Sequence, residues 1–187
     1  MLLLIGKTCA GKDSIQKILI SEYGMKNIVS YTTRPMRDEE ENGVQYWFLS
    51  TEEFLKKQEE GFFAEVITYV DKDGNTLYYG GAKKDFADDK VMIVNIDGLK
   101  QIREFKELNS IAFLLTVSDD TIRERLKKRG DNEEVAENRI KQDNEMFAEA
   151  ENFVDYILEN ENISPEEMAT RIHKMYTTKM QLEKMFK

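Results

Sequence analysis

Apolar residues along this chain fall into two rhythms. Short β-rich, largely apolar runs, at residues 2–5, 27–31, 91–96, 110–117 and 153–158, read as buried strands. The longer stretches between them carry apolar positions at helical spacing. Two have start signals: Ser50 followed by Glu53, and Ser164 followed by Pro165 and Glu167, with the proline at the tolerated first helical position. They predict helices at about 51–59 and from 165 towards the end. Strands alternating with helices imply a mainly parallel sheet covered on both faces, an α/β architecture.

Two stretches break that alternation. Residues 42–80 carry β-rich runs at 46–49, 63–69 and 76–79 with Asp73-Gly74 as a turn signal, which predicts a small antiparallel insertion on the main sheet. Residues 127–139 are charged throughout and predict a mobile, solvent-facing helical lid reaching to about 145. With 187 residues and no linker or repeat, the chain reads as one domain. Its core spans 1–33, 82–126 and 146–187, its insertion about 34–81 and its lid about 127–145.

Charge narrows the partners. Against 27 Lys and Arg stand 36 Asp and Glu, a formal net charge of −9, which argues against a nucleic-acid or anionic-membrane surface as partner. Any bound anion must be captured locally. One cysteine, Cys9, excludes an intramolecular disulfide and fits a reducing compartment, and one histidine, His173, leaves too few soft ligands for structural zinc. The apolar start at residues 1–5 is shorter than the roughly 7–15 residues of a secretory core, and no run approaches a membrane span of about 20. A soluble, cytoplasmic protein is expected.

Directly after the first strand comes Gly6-Lys7-Thr8-Cys9-Ala10-Gly11-Lys12, and the helical pattern begins at once. The glycines let successive N–H groups converge on phosphate oxygens, the helix N-terminus adds partial positive charge, and Lys12 supplies a cation for the β and γ phosphates of ATP. The pattern then asks for Ser or Thr as a Mg²⁺ ligand, whereas this chain has Asp13 followed by Ser14. Asp13 is either a carboxylate ligand of Mg²⁺ or a first-turn acid serving the helix dipole.

Downstream of the second strand stand Ser30-Tyr31-Thr32-Thr33-Arg34-Pro35-Met36-Arg37, then Gly43, Tyr46, Glu65 and Tyr78-Tyr79-Gly80. Further on come Asn95-Ile96-Asp97, Arg129-Gly130, and Asp155-Tyr156 before Asn160. In this order, from Leu2 to about Asn160, the chain resembles the guanylate kinases. The resemblance implies a P-loop three-layer sandwich with an acceptor-binding insertion and a helical lid. It implies ATP-dependent phosphorylation of a nucleoside monophosphate, GMP or dGMP first, with Mg²⁺ as cofactor.

Residues 6–14 would then hold ATP, while Arg34, Arg37, Tyr46 and Tyr79 would hold the acceptor phosphate. Forked guanidinium donors suit a terminal phosphate, and tyrosine hydroxyls add neutral donors. Glu65, a charge in an otherwise apolar run, either reads the two N–H donors of guanine or is the outward residue of an alternating strand. By resemblance Ser30 and Asp97 help read the base, whereas the family's serine after Tyr-Tyr-Gly is Gly81 here and residues 71–75 lengthen the preceding loop.

Catalysis of in-line transfer is positioning plus charge neutralisation. Lys12 and Arg37 would act at the reacting phosphates, with Arg129 and Arg139 closing from the lid. Between those two arginines the chain is one residue shorter than the family's spacing. Asn95 stands where the family carries an aspartate, so the acid gained at Asp13 balances the acid lost at Asn95, and the two departures predict a relocated magnesium carboxylate.

Two rivals remain open: a kinase of other or broader base preference, suggested by Gly81, and a non-catalytic binding module, against which the retained Lys12 and lid arginines argue. Cys9 reads as a small loop residue, and His173 as a packing residue of the last helix. The stripe Met175, Tyr176, Met180, Met185 and Phe186 reads as core packing or a dimer contact, leaving monomer or homodimer open.

Overall fold

The computed structural model describes residues 1–71 and 73–186; Lys72, inside the lengthened loop, and Lys187 lie outside the described residues. The chain runs β1 (Leu2–Gly6), α1 (Lys12–Tyr23), β2 (Lys26–Asn27), β3 (Tyr31–Thr32), β4 (Trp47–Phe48), α2 (Thr51–Glu59), β5 (Phe63–Val70), β6 (Thr76–Ala82) and β7 (Lys90–Ile93). It continues through α3 (Ile96–Glu104), β8 (Ile111–Thr116), α4 (Asp119–Arg129), α5 (Glu133–Met146), β9 (Tyr156–Glu159) and α6 (Pro165–Met185), with short 3-10 turns at Lys83–Asp85 and Ala150–Phe153.

All five residues of β1 are buried, as its unbroken apolar run requires. Because strand side chains alternate, Leu2 and Leu4 face one layer with Ile15 and Leu19 of α1 and Ile172 and Tyr176 of α6. Leu3 and Ile5 face the other, with Leu99 and Ile102 of α3. β1 is the centre of a five-stranded sheet, β2-β7-β1-β8-β9, in which every pairing is parallel. This is the predicted sandwich. β7 and β8, consecutive strands of this sheet, lie on opposite sides of β1, so a crevice opens outside its carboxyl end, where open α/β sheets bind ligands.

A second sheet, β4-β3-β6-β5, carries the insertion. It is mixed rather than purely antiparallel: β6 pairs antiparallel with β3 and β5, but β3 pairs parallel with β4. The expected strand over residues 27–31 is two pieces. Asn27 pairs with β7 in the main sheet, whereas Tyr31 pairs with Gly80 and Trp47 in the second. Ile28 is buried at the crossing, so the run stays apolar through a joint that no single ladder spans.

Two other runs end differently from expectation for related reasons. Over 91–96 the strand stops at Ile93 because Asn95 caps α3, its Oδ1 accepting from Gly98 N at 2.8 Å. Over 153–158 a 3-10 turn ends at Phe153 and the strand begins at Tyr156. Ser50 and Glu53 form the reciprocal capping box of α2, and Ser164 caps α6 through Glu167 N, both as the sequence predicts.

The charged stretch folds as the end of α4, a turn at Gly130 and α5, with Ile122, Leu126, Ala136 and Ile140 buried along their seam. On α6, Tyr176 and Met180 pack into the core, while Met185 and Phe186 are exposed. His173 packs against the ring of Tyr23, 4.3 Å between centroids. Among the described residues no helix is long and apolar enough to cross a membrane.

Candidate active site

The loop from Gly6 to Lys12 is held from outside by residues distant in sequence. A Cβ on Gly6 would meet the Leu115 carbonyl oxygen at 2.6 Å, and one on Gly11, whose φ is 92°, would meet Asn160 Nδ2 at 2.6 Å. Neither position admits a side chain. Cys9 takes the left-handed conformation with φ 57°, unusual for a residue with a Cβ. Its carbonyl accepts from Arg125 Nη1 at 2.7 Å, the Ala10 carbonyl accepts from Asn160 Nδ2 at 2.8 Å, and Arg125 Nη2 reaches Asn160 O at 3.1 Å. These bonds commit the carbonyls of Cys9 and Ala10 to the clasp, while Ala10 N closes a turn onto the Lys7 carbonyl at 3.1 Å.

Lys12 Nζ donates to the carbonyls of Gly6 at 2.6 Å and Lys7 at 2.8 Å, spanning the loop's two ends. Burial pushes its pKa down, opposed by the charges of Asp13 and Asp143. Thr8 N donates to Asp143 Oδ2 at 2.6 Å, and Lys7 Nζ to Asp119 Oδ1 at 3.1 Å and to Asn144. Asp13 and Ser14 are exposed on the first turn of α1.

On the second sheet Arg34 forks onto Glu40, with Nη1–Oε2 at 2.9 Å and Nη2–Oε1 at 2.6 Å, and lies 5.5 Å over the rings of Tyr46 and Phe48. Those bonds and the Arg37 amide pull the Glu40 carboxyl down to about 2. Tyr46 and Tyr79 stand edge to face at 5.7 Å, and burial pushes the Tyr46 phenol up. The Arg37 guanidinium is exposed and makes no hydrogen bond to a described residue. The Ser30 carbonyl is a ladder acceptor for Trp47 N at 2.9 Å.

Glu65 is buried, not the outward residue of an alternating strand. A bulge between Phe63 and Glu65 breaks the alternation, so Phe63, Ala64 and Glu65 are buried in succession. Its Oε1 accepts from Gly81 N at 2.7 Å, and burial pushes its pKa up to about 7. Its Oε2 would lie 3.4 Å from a Cβ on Gly98, and Asn95 Oδ1 3.3 Å from the same point. The carboxyl of the insertion thus meets the start of α3, beside the loop because β7 pairs with β1. A Cβ on Gly81 would come 3.2 Å from Glu65 Oε1, Met92 Cε and Phe86 Cε2, so a serine there would require these side chains to give by a few tenths of an ångström. Asp97, on that first turn, is exposed.

Arg129 and Arg139, the two arginines expected on a lid, converge on one acid. Arg129 binds Asp131 through Nε at 2.6 Å and Nη2 at 2.9 Å, and Arg139 Nη1 lies 3.8 Å from Asp131 Oδ1. A cleft of about 230 Å³ lies beside the loop, walled by Lys7, Leu115, Val117, Asn144 and Phe147. Among the described residues no three His, Cys, Asp or Glu side chains gather to hold a metal. Sequence reading missed Arg125, Glu40, Asp119, Asp143 and Asn144. Only Glu40 had a local signal, an acid six residues after Arg34.

A family model described as Guanylate kinase matches residues 1–179. A guanylate kinase of Wolinella succinogenes is 37% identical over 151 residues, 75% of this chain and 67% of that protein. One of Photobacterium profundum is 33% identical over 162 residues, 82% and 76% of the two chains. The crystal structure of guanylate kinase from Anaplasma phagocytophilum superposes with a TM-score of 0.68 at 22% identity, covering 96% of this chain and 85% of that one, so the whole architecture is shared. With a strand, glycine loop and helix at the sheet's centre, a buried glutamate on the inserted sheet and a family model matching residues 1–179, the chain belongs to the guanylate kinase family.

Proposed function

We propose that this chain transfers the γ-phosphoryl group of ATP directly to the phosphate of GMP or dGMP, giving ADP and the corresponding diphosphate. One juxtaposition carries the reading: a glycine loop leads from β1 into α1, and the buried carboxyl of Glu65 meets the start of α3 after the adjacent β7. The loop amides and Lys12 take the polyphosphate of ATP. Arg34, oriented by Glu40, with Arg37, Tyr46 and Tyr79 takes the acceptor phosphate. Arg129 and Arg139 close over the transferring group and exclude water.

Guanine offers two N–H donors to Glu65, and adenine offers none on that edge. Both carboxylate oxygens accept only when ionised, so affinity for GMP falls as pH drops below about 7. Mg²⁺ fits the oxygen donors present: the Asp13 carboxylate is exposed beside Lys12, whereas Asn95 Oδ1 is committed to the α3 cap. When bound it neutralises charge on the β and γ phosphates, and Asp13 is the residue that would hold it. A single free cysteine, Cys9, suits a reducing, cytoplasmic setting.

A second reading, broader base preference, is favoured by the side-chain space at Gly81 being crowded by Met92 and Phe86. An ADP-release assay with ATP and each of GMP, dGMP, AMP, CMP, UMP and dTMP decides. Turnover of GMP and dGMP at least about a hundredfold above the others in kcat/KM is expected. Comparable rates across bases would select the second reading.

A further inference from the structure

Thr8 sits inside the loop whose amides converge on phosphate, yet its amide is already engaged, donating to Asp143 Oδ2 at 2.6 Å. That carboxylate comes from α5, 135 positions along the chain. To a backbone amide, a carboxylate oxygen is the same thing as a phosphate oxygen: an anionic acceptor. Around the contact the lid clasps the loop's other cation. Lys7 Nζ donates to Asp119 Oδ1 of α4 at 3.1 Å and to Asn144 Oδ1 of α5, and Asn144 Nδ2 donates to Asp119 Oδ2 at 2.8 Å. Lys12 meanwhile is folded onto the carbonyls of Gly6 and Lys7, with the charge of Asp143 within its field. Asp119 at the start of α4 and the lid helix α5 therefore both hold the loop, α5 with an acid at a loop amide.

We propose that Asp143 is an internal occupant of the donor phosphate site: in this state the lid closes the loop with its own carboxylate, and ATP binds by expelling Asp143 and opening the Lys7–Asp119–Asn144 clasp. The proposal rests on reading the loop as the ATP site. Two anions cannot share one amide, and a triphosphate within a few ångströms repels Asp143, so occupancy is exclusive. Apparent affinity for ATP is then lowered by the fraction of molecules whose loop is free.

Titrating the full chain and its Asp143→Ala, Asp143→Asn and Asn144→Ala variants with MgATP by calorimetry tests this. Asp143 is half-buried and Asn144 exposed, so folding is not at stake, and circular dichroism checks it. Asp143→Ala is expected to lower the Kd for MgATP about tenfold, the scale of one charge-assisted hydrogen bond. Asp143→Asn, which keeps an acceptor without charge, and Asn144→Ala, which opens the clasp, should tighten binding less. Without nucleotide, amide hydrogen exchange in α5 should quicken in Asp143→Ala. If wild type binds MgATP and Asp143→Ala binds equally or more weakly, the internal occupant is refuted and the ATP reading stands. If neither binds MgATP, the ATP reading fails and takes this proposal with it.

Discussion

In the proposed function the loop between β1 and α1 and the sheet bearing Arg34 and Glu65 would both present charge to a nucleotide, one with backbone and the other with side chains. In the loop the donors are amides, and their direction is set by features with no slack. Gly6 is pressed against the Leu115 carbonyl, Cys9 is held at positive φ, and the carbonyls of Cys9 and Ala10 are pinned by Arg125 and Asn160. On the sheet, the proposed recognition depends on single groups that can be exchanged: one carboxyl, one forked arginine and two tyrosine rings standing edge to face. A backbone cradle tolerates no change of shape, whereas a side-chain site changes preference one residue at a time. Gly81 illustrates this: Phe86 and Met92 crowd the space a side chain would need, yet its amide still orients Glu65.

Three experiments probe that contrast. The largest effect belongs to the loop. Lys12→Met removes the cation that spans its ends, and kcat/KM for ATP with GMP should fall at least about a thousandfold at unchanged far-ultraviolet dichroism. A loss under tenfold would break the comparison, since the loop would then not be where charge is neutralised.

Glu65→Gln should lower kcat/KM for GMP about a hundredfold while moving the rate with AMP little, because an amide nitrogen turns a donor towards a donor. The same variant carries a stability signature with a definite sign. The folded carboxyl titrates near 7 and an unfolded one near 4.5, so folding favours the protonated form. Wild-type stability attached to this group is present below about pH 4.5 and is lost as pH rises through 7. Urea unfolding of wild type and Glu65→Gln at pH 5 and pH 8 should show the variant gaining about 2 kcal/mol relative to wild type at the higher pH. A flat difference would show that Glu65 is ionised without penalty.

The smallest effect tests whether loop and strand end share one metal. Aspartate also caps helices, so Asn95→Asp keeps the α3 start. In the cycle of Asp13→Ser, Asn95→Asp and the double variant, turnover should recover in the double by about 1 kcal/mol of coupling, read also as Mg²⁺ dependence of ATP binding. Additive losses would uncouple the two positions.

Much of the fold was legible because burial leaves a local trace. The unbroken apolar runs marked β1 and β8, Ser50 and Ser164 marked helix starts, and the glycines after β1 marked a tight turn into α1. Residues 27–31 misled because an apolar run records that a segment is covered and not which sheet covers it. Glu65 was ambiguous for a similar reason. Its inward turn comes from a bulge set by pairing with β6, and a period-two pattern cannot show an extra residue.

By itself, then, the order of residues determined most of the strands and helices, where the glycine loop after β1 begins, and that an acid stands in an apolar run. These follow from side-chain period, backbone freedom and capping, all properties of neighbours in the chain. Only the tertiary structure decided what clasps the loop, which acid meets its amide, and that Glu65 lies against α3. Arg125, Asp143 and Asn160 reach the loop from more than a hundred positions away, and hydrogen bonds at that separation have no counterpart in local sequence.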